Sequence, residues 1–246
     1  MSLVVRYRAR SDLGLVRRTN QDAYYAGPRV LALADGVGGR AGGECAARLA
    51  ISAMIELDRA EPGEDLLGAL RAGVAAGNAA IGAEAAERPE LAGMATTLTA
   101  MLFAGHRLGL AHVGDSRAYL LRDAELRRIT KDDTFVRMLI DEGQVTPAQA
   151  RAHPMRSVLL RSLSGGELEP SLRTLWAHAG DRYLLCSDGL SDVVDDEDIG
   201  QTLAVPDQDT AADKLIEQAL AAGGPDNVTV VLADVLNSEP ERAHAW

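Results

Sequence analysis

Cysteine and aromatic residues are scarce in this chain of 246 residues. Its two cysteines, Cys45 and Cys186, do not form a CxxC pair, so neither a zinc site nor a dithiol redox motif is indicated. Each lies in an apolar run, and we expect buried thiols in a reducing compartment. Aromatic residues make up 4% of a chain that is 47% hydrophobic. Much of the apolar content is alanine, so we expect helices that pack closely through small side chains.

Excess positive charge and long apolar runs are also lacking. The formal net charge is −11, which disfavours binding to nucleic acid, since phosphate contacts need Lys and Arg, and adhesion to anionic membranes. The N-terminal segment MSLVVRYRARSD does not resemble a signal peptide, and no uncharged apolar run has the length of a membrane span. These absences predict a cytoplasmic protein, and the negative charge is compatible with binding divalent cations.

Short apolar runs with β-branched or aromatic residues predict strands at 30–34, 97–103, 108–113, 118–121, 183–186 and 228–233. Longer segments predict helices at 43–57, 65–86 and 209–222, the last ending at Gly-Gly-Pro. Strands flank paired helices without strict βαβ alternation, which favours an α+β fold of mostly antiparallel sheets with helices outside. We expect one domain over residues 1–236 and a polar tail over 237–246.

A more polar segment separates the central strands from the last ones. DDTFVRMLIDEG predicts a short helix with Asp132 or Asp133 near its N-cap. A second short helix follows, with Thr146 as N-cap, Pro147 at the first helical position and Gln149 completing a capping box.

Four predicted strands each have an aspartate at one end: Asp35, Asp115, Asp188 and Asp226. Any single Asp-Gly pair is better explained as a turn. If the strand ends converge, however, the four carboxylates repel one another and need a compensating cation. Oxygen ligands suit hard ions such as Mg²⁺, Mn²⁺ or Ca²⁺. Spacing alone therefore favours a metal cluster without establishing it.

Several segments resemble the ordered motifs of the type 2C metal-dependent (PPM) protein phosphatases. They are SDLGLVRRTNQDAYY at 11–25, ADGVGGRAGGECAA at 34–47, ATTLTAMLF with HVGDSRAYLL, CSDGLSDVV at 186–194 and GGPDNVTVVL at 223–232. Residues 129–165 resemble the flap of the bacterial branch, and the sequence is most similar to actinobacterial phosphatases that oppose Ser/Thr kinases. The resemblance implies a four-layer α-β-β-α sandwich, with two central antiparallel sheets flanked by helix pairs and a helical flap at about 130–166.

The resemblance also implies the metal ligands. Asp35 matches the aspartate that bridges two metal ions, and Gly36 matches the residue whose carbonyl binds the second ion. Asp188 and Asp226 match ligands of the first ion. The implied cofactors are two core Mn²⁺ or Mg²⁺ ions and a third.

Further roles are carried over in the same way. Asp115, with Asp188, matches the third-metal site of bacterial members, which Ser157 of the flap completes, although Ser157 is equally compatible with an ordinary flap position. Asp192 matches a metal-associated acid, but it also suits the solvated start of a helix. Asp22 matches the acid that positions water, and Arg17 matches the arginine that grips the substrate phosphate, which a guanidinium can hold through two oxygens. Asn227 is expected to orient its neighbour.

The implied activity is hydrolysis of phosphoserine and phosphothreonine in proteins by a metal-activated water, without a covalent intermediate. The implied partners are phosphorylated proteins, including Ser/Thr kinases and their substrates, and a monomer is expected. Two positions depart from the family pattern. Val37 replaces a histidine of animal members that is proposed as general acid, which leaves His153 as a weak candidate and His112 as an expected core residue. Gln21 replaces the usual glutamate of the first motif.

Three alternative functions remain open from the sequence. The first is a catalytically inactive relative that binds phosphopeptides, which the intact aspartates disfavour. The second is a phosphatase of anti-sigma antagonist proteins, a branch that generally lacks this flap. The third is a calcium-binding structural protein, which leaves Arg17 unexplained.

Overall fold

The computed structural model describes residues 3–38, 42–60 and 63–238. Its strands are β1 Leu3–Asp12, β2 Asp22–Ala26, β3 Val30–Val37, β4 Ala95–Thr96, β5 Leu98–Ala104, β6 Arg107–Val113, β7 Arg117–Arg122, β8 Glu125–Arg128, β9 Ser171–Trp176, β10 Arg182–Cys186 and β11 Val228–Asn237. Its α-helices are α1 Gly42–Arg59, α2 Leu66–Glu87, α3 Phe135–Asp141, α4 Pro147–Arg151, α5 Asp188–Ser191, α6 Asp196–Leu203 and α7 Gln208–Ala221. A 3₁₀ turn spans Pro89–Leu91.

The strands form two sheets in which every neighbouring pair is antiparallel. Sheet A has the order β1-β11-β10-β7-β8. Sheet B has the order β2-β3-β5-β6-β9, and the short β4 pairs with β3.

Alternation of side chains along the buried strands produces three apolar layers. In β3, Val30 and Ala32 face α1 and α2, whereas Leu31 and Leu33 face sheet A. In β10, Tyr183 and Leu185 fill the space between the sheets, while Leu184 and Cys186 pack against α6 and α7. Both faces of each sheet are therefore covered, which explains why these strands read as continuous apolar runs. The predicted four-layer sandwich is confirmed.

Small side chains bring α1 and α2 close together, as the alanine content indicates. A Cβ added at Gly77 of α2 would lie 3.2 Å from the Cα of Ala50 in α1. By length and composition alone α2 could cross a membrane, with a mean hydropathy of 1.3, although Arg71 and Glu84 interrupt its apolar run. Its Leu70 and Ile81 are fully buried against α1 and sheet B, and 33% of its most apolar window is buried within the fold.

The six predicted strands and three long helices are present, with ends that differ by a few residues. Strand β1 was not predicted, although its sequence alternates in a way typical of a half-buried strand. Val5, Tyr7 and Ala9 pack between the sheets, whereas Arg8 and Arg10 point outward and bind acids of α7. Strands β2, β4, β8 and β9 were also missed.

The flap contains two short helices. The N-cap of α3 is Thr134, whose side chain accepts a hydrogen bond from the N–H of Arg137, and Asp133 directly precedes it, so the prediction of Asp132 or Asp133 near the N-cap is confirmed. Both are used elsewhere, Asp132 by Arg117 and Asp133 by Arg161. The capping box that starts α4 is confirmed. Strand β11 includes Asn237, and residues 239–246 of the expected tail lie outside the described residues.

Candidate metal centre

The antiparallel order of the strands brings the aspartates to one end of the sandwich. Asp22 and Asp35 are directly opposite each other in the register of β2 and β3. Asp188 begins α5 immediately after β10, and Asp226 lies just before β11, which pairs with β10. Asp115 follows the end of β6. The convergence expected from the strand ends is therefore present in the fold.

Burial and mutual repulsion act together on Asp35 and Asp188. Burial raises the pKa of Asp35 well above its ordinary value, and the charges of Asp188, Asp22 and Asp115 raise it further. The pKa of Asp188 is raised well above its ordinary value by burial and then by neighbouring carboxylates, Asp115 first among them. The side chains of Asp35 and Asp188 are close enough to influence each other's pKa directly. Two carboxylates that are this close cannot both be ionised without cost.

Asp22 and Asp115 extend the acidic cluster on two sides. Burial is the main cause that raises the pKa of Asp22 to about 6. Its Oδ2 accepts a hydrogen bond from Ser187 Oγ at 2.8 Å, whereas its Oδ1 is buried without a hydrogen-bond partner among the described residues. Burial, followed by the charges of Asp132 and Asp192, raises the pKa of Asp115 to about 7. Unsatisfied buried carboxylate oxygens are costly unless a cation or donor reaches them.

Arg17 is the cation of this cluster with a direct contact to one of the predicted ligands. Its Nη2 donates to Asp226 Oδ2 at 2.5 Å, and its pKa is raised chiefly by that hydrogen bond, with smaller contributions from the charges of Asp188 and Asp35. The Arg17 side chain is 53% exposed. It lies at the rim of the cluster, where it can turn toward a ligand from solvent.

Hydroxyl groups below the cluster fix the backbone of the aspartates. Thr97 Oγ1 accepts from the N–H of Asp35 at 2.9 Å and shares a 2.8 Å hydrogen bond with Ser116 Oγ. Thr96 Oγ1 donates to the carbonyl of Asp35 at 2.8 Å. Ser187 Oγ accepts from the N–H of Thr229 at 2.9 Å while it donates to Asp22. The sequence analysis assigned no role to these residues; the adjacent threonines of ATTLTAMLF and the serine of CSDG were their only signals.

The side chain of Asn227 holds the loop that carries Arg17. Its Nδ2 donates to the carbonyls of Leu13 and Thr19 at 2.9 and 3.0 Å, and its Oδ1 accepts from the N–H of Gln21 at 2.9 Å. Only its backbone N–H contacts the side chain of Asp226. The backbone of Asn227 thus orients its neighbour Asp226, as expected, and its side chain supports the β1–β2 loop.

Two glycines allow the backbones of the site to approach one another. A Cβ on Gly36 would lie 2.4 Å from the backbone of Gly43 at the start of α1. A Cβ on Gly189 would lie 1.9 Å from the carbonyl oxygen of Asn227. The glycines that follow Asp35 and Asp188 are thus needed for close packing. A side chain at either position would separate the elements that carry Asp35, Asp188 and Asp226.

The structure does not unite all of the predicted residues. Ser157 is exposed on the flap and makes no hydrogen bond with any described residue, so no contact joins it to Asp115 or Asp188. Asp192 is exposed, but its charge raises the pKa of Asp188. His153 accepts a hydrogen bond from the N–H of Met155 within the flap. His112 is a core residue as expected, with 2% exposure.

The donor set fits divalent cations in chemistry. Five carboxylates and the unpartnered Asp22 Oδ1 face one region, and Arg17 offsets only part of their charge. In the described ranges, no three Asp, Glu, His or Cys side chains are already arranged to hold an ion. Asp226 is instead engaged with Arg17, and cation binding would replace the Arg17–Asp226 hydrogen bond.

Comparisons with known proteins match the part of the chain that carries these aspartates. The model of the Protein phosphatase 2C family matches residues 17–237. The chain is 61% identical over 237 residues to the serine/threonine protein phosphatase PstP of Mycobacterium tuberculosis, covering 96% of this chain and 46% of that protein. It therefore spans about half the length of that relative. A serine/threonine phosphatase of Listeria monocytogenes is 32% identical over 236 residues, covering 92% of this chain and 94% of that protein.

Solved structures agree with the fold. A crystal structure of the M. tuberculosis serine/threonine phosphatase PstP matches with a TM-score of 0.93 and 61% identity, over 95% of this chain and all of that chain. The catalytic domain of PstP in complex with two manganese ions matches with a TM-score of 0.92 and 59% identity, over 96% of this chain and all of that chain.

Proposed function

The chain belongs to the protein phosphatase 2C family, and on this premise we propose that it is a metal-dependent phosphatase of phosphoserine and phosphothreonine in proteins. One observation carries the proposal: half-buried, mutually repelling aspartates meet at one end of the sandwich, beside an exposed arginine. A purely structural cluster would be destabilising without a bound cation.

Asp35, the carbonyl of Gly36, Asp188 and Asp226 are the proposed ligands of two core ions, Mn²⁺ or Mg²⁺. The manganese ions of the PstP catalytic domain support this assignment. We assign a third ion to Asp115 and Asp188, with Asp192 and Ser157 nearby, and the raised pKa of Asp115 supports a cation there. Such ions supply two things, activation of water at neutral pH and neutralisation of charge on phosphoryl oxygens.

The residues of the chain have distinct tasks in this proposal. Asp22 accepts a proton from, or orients, the attacking water through its free Oδ1, while Ser187 fixes its other oxygen. Arg17 leaves Asp226 and holds two oxygens of the phosphate. Since Val37 cannot donate a proton, leaving-group protonation falls to water.

The whole protein's partners are proposed on the same basis. Phosphorylated proteins, including Ser/Thr kinases and their substrates, are the expected substrates, and the M. tuberculosis relative supports this class. We place the catalytic unit within residues 1–236 as a monomer in the cytoplasm; the family match over residues 17–237 supports a single unit over this part of the chain.

Phosphate release from a phosphothreonine peptide tests the proposal. Protein stripped with EDTA should be inactive, regain activity with Mn²⁺, and lose nearly all turnover in Asp188→Ala. Asp198→Ala, on the exposed first turn of α6, is the matched control and should retain the activity of the parent. If Asp188→Ala keeps near-parent turnover in saturating Mn²⁺, the ligand assignment is wrong, and if the parent never hydrolyses the peptide, the proposed function is wrong.

A further inference from the structure

The turn between β6 and β7, which carries Asp115, is held from both sides by buried hydrogen bonds. On one side, Ser116 is fully buried, and its hydroxyl bonds with Thr97. On the other side, Gly114 has φ of +104°, and a Cβ there would lie 2.6 Å from a methyl group of Thr97. The turn therefore has little room to shift beside Asp35, whose N–H binds the same threonine.

Asp133 lies at the start of the flap, whose first residues are 130–133. It also fixes the position of Gly114. Its Oδ2 accepts from the N–H of Gly114 at 3.0 Å, and its own N–H donates to the carbonyl of Gly114 at 2.7 Å. The residue is 8% exposed. Both polar backbone groups of Gly114 are thus bound by one residue, next to the carboxylate-bearing Asp115.

Asp133 also binds the C-terminal part of the flap. Its Oδ1 pairs with Arg161 Nη2, and its carbonyl accepts from the N–H of Leu160 at 2.7 Å. Arg161 also donates to the carbonyl of Glu169 and the hydroxyl of Ser171, where β9 begins. Asp133 therefore joins three parts of the chain: the turn with Asp115, the end of the flap and the edge of sheet B.

We propose that Asp133 is a positioning residue that couples the flap to Asp115, and through Asp115 to the third metal site. One oxygen of its carboxylate sets the turn and the other is held by the flap, so a change in the flap alters the placement of Asp115. The inference rests on the proposed function, because it takes Asp115 as a metal ligand. Residues that orient a ligand commonly contribute about 10- to 100-fold to metal affinity.

A purely structural role for Asp133 predicts a different result from a positioning role. Asp58 offers a matched control, since it is also buried, accepts from two backbone N–H groups, those of Arg29 and Val30, and contacts an arginine. It lies near the end of α1 and contacts the β2–β3 hairpin, at the opposite end of these strands from Asp22 and Asp35. Asp58→Asn should lower stability and leave metal binding unchanged.

The test measures Mn²⁺ binding to EDTA-treated protein by calorimetry, without substrate. Asp133→Asn should weaken the binding of the lowest-affinity ion about tenfold or more and leave the affinities for the tighter ions within threefold of the parent. Asp115→Asn should have the same effect, with a more complete loss of the lowest-affinity ion. In the double variant with Asp115→Asn, the Asp133→Asn substitution should cause no further loss of Mn²⁺ affinity, because Asp133 acts through Asp115. Steady-state kinetics should show the Asp133→Asn defect shrinking as Mn²⁺ is raised.

The inference is overturned if Asp133→Asn binds all ions like the parent, if it weakens every ion equally, or if Asp115→Asn keeps the weakest ion. Should Asp133→Asn fail to fold, Arg161→Gln, at a 41% exposed side chain, removes the ion pair with Asp133 together with the hydrogen bonds to Glu169 and Ser171, and leaves the contacts of Asp133 with Gly114 in place. It should weaken the same ion severalfold, and unchanged binding would overturn the inference. A parent that binds Mn²⁺ without hydrolysing phosphopeptide would refute the proposed function, yet the binding comparison would still decide whether Asp133 positions Asp115.

Discussion

Arg17 illustrates how one residue can serve two states of a site. Its guanidinium bonds with Asp226, yet half of its side chain is open to solvent. A phosphate that carries two negative charges competes well for such a group, because bidentate charge-assisted hydrogen bonds are stronger than single ones. Arg17 therefore has the exposure that its proposed role as substrate ligand requires, and in the structure it restrains Asp226, a proposed metal ligand.

We predict that Arg17→Ala lowers kcat/KM by about 10- to 100-fold, as expected for loss of hydrogen bonds to a charged group worth about 1.5–3 kcal/mol. The affinity for Mn²⁺ should stay equal or rise, since Asp226 is released. Peptide kinetics and calorimetry measure the two effects. Arg18→Ala, an exposed neighbour, is the control and should change neither; a large loss of Mn²⁺ affinity in Arg17→Ala would contradict the assignment.

Among the elements, the β1–β2 loop depends on a residue that is remote in sequence. Asn227 bonds with the loop at Leu13, Thr19 and Gln21, across more than 200 positions of the chain. The loop carries Arg17, so its placement is fixed by the start of β11 rather than by local turn chemistry.

Asn227→Ala should raise KM for a phosphopeptide about tenfold, because the loop with Arg17 loses three buried hydrogen bonds of about 1 kcal/mol each. Asn78→Ala is a matched control: Asn78 also makes three hydrogen bonds, to residues 164–166. Both variants should melt earlier than the parent, but only Asn227→Ala should change KM. Equal KM values in the two variants would show that the loop is placed by other contacts.

Sequence patterns predicted some of the strands and site residues and could not predict others. Continuous apolar runs predicted the central strands, since both faces of these strands are buried. Strand β1 was missed because its arginines alternate with apolar residues and resemble a charged terminus until α7 supplies their partners. The aspartates were found because strand ends are visible in sequence, but their roles came from the family resemblance. The contacts of Asn227 and Asp133 are long-range, so no local pattern could predict them.

For the whole molecule, the acidic cluster makes stability depend on pH and on metal. The pKa of Asp22 is raised to about 6 and that of Asp115 to about 7, mainly by burial, so folding favours their protonated forms. Their contribution to stability is complete below the pKa of an unfolded aspartate, about 3.9, and is lost as the pH rises through 6 to 7. Burial lowers the pKa of His112, which acts in the opposite direction.

Comparison with a variant separates the cluster from His112. In EDTA, Asp188→Asn should melt at least about 3 °C above the parent at pH 8, since one pKa unit is about 1.4 kcal/mol and 1 kcal/mol moves Tm by about 2–4 °C at this chain length. The difference should shrink at pH 5, and Mn²⁺ should stabilise the parent more than the variant. Thermal unfolding measures each value; a difference that is the same at both pH values would argue against buried repulsion.

The most direct test of the central claim is an anomalous difference map from crystals grown with Mn²⁺, collected on both sides of the manganese edge. The account predicts peaks between Asp35, Asp188 and Asp226, with the Gly36 carbonyl as a ligand and Arg17 displaced from Asp226. Fully occupied Mn²⁺ sites elsewhere on the molecule, with the Arg17–Asp226 hydrogen bond intact, would contradict it.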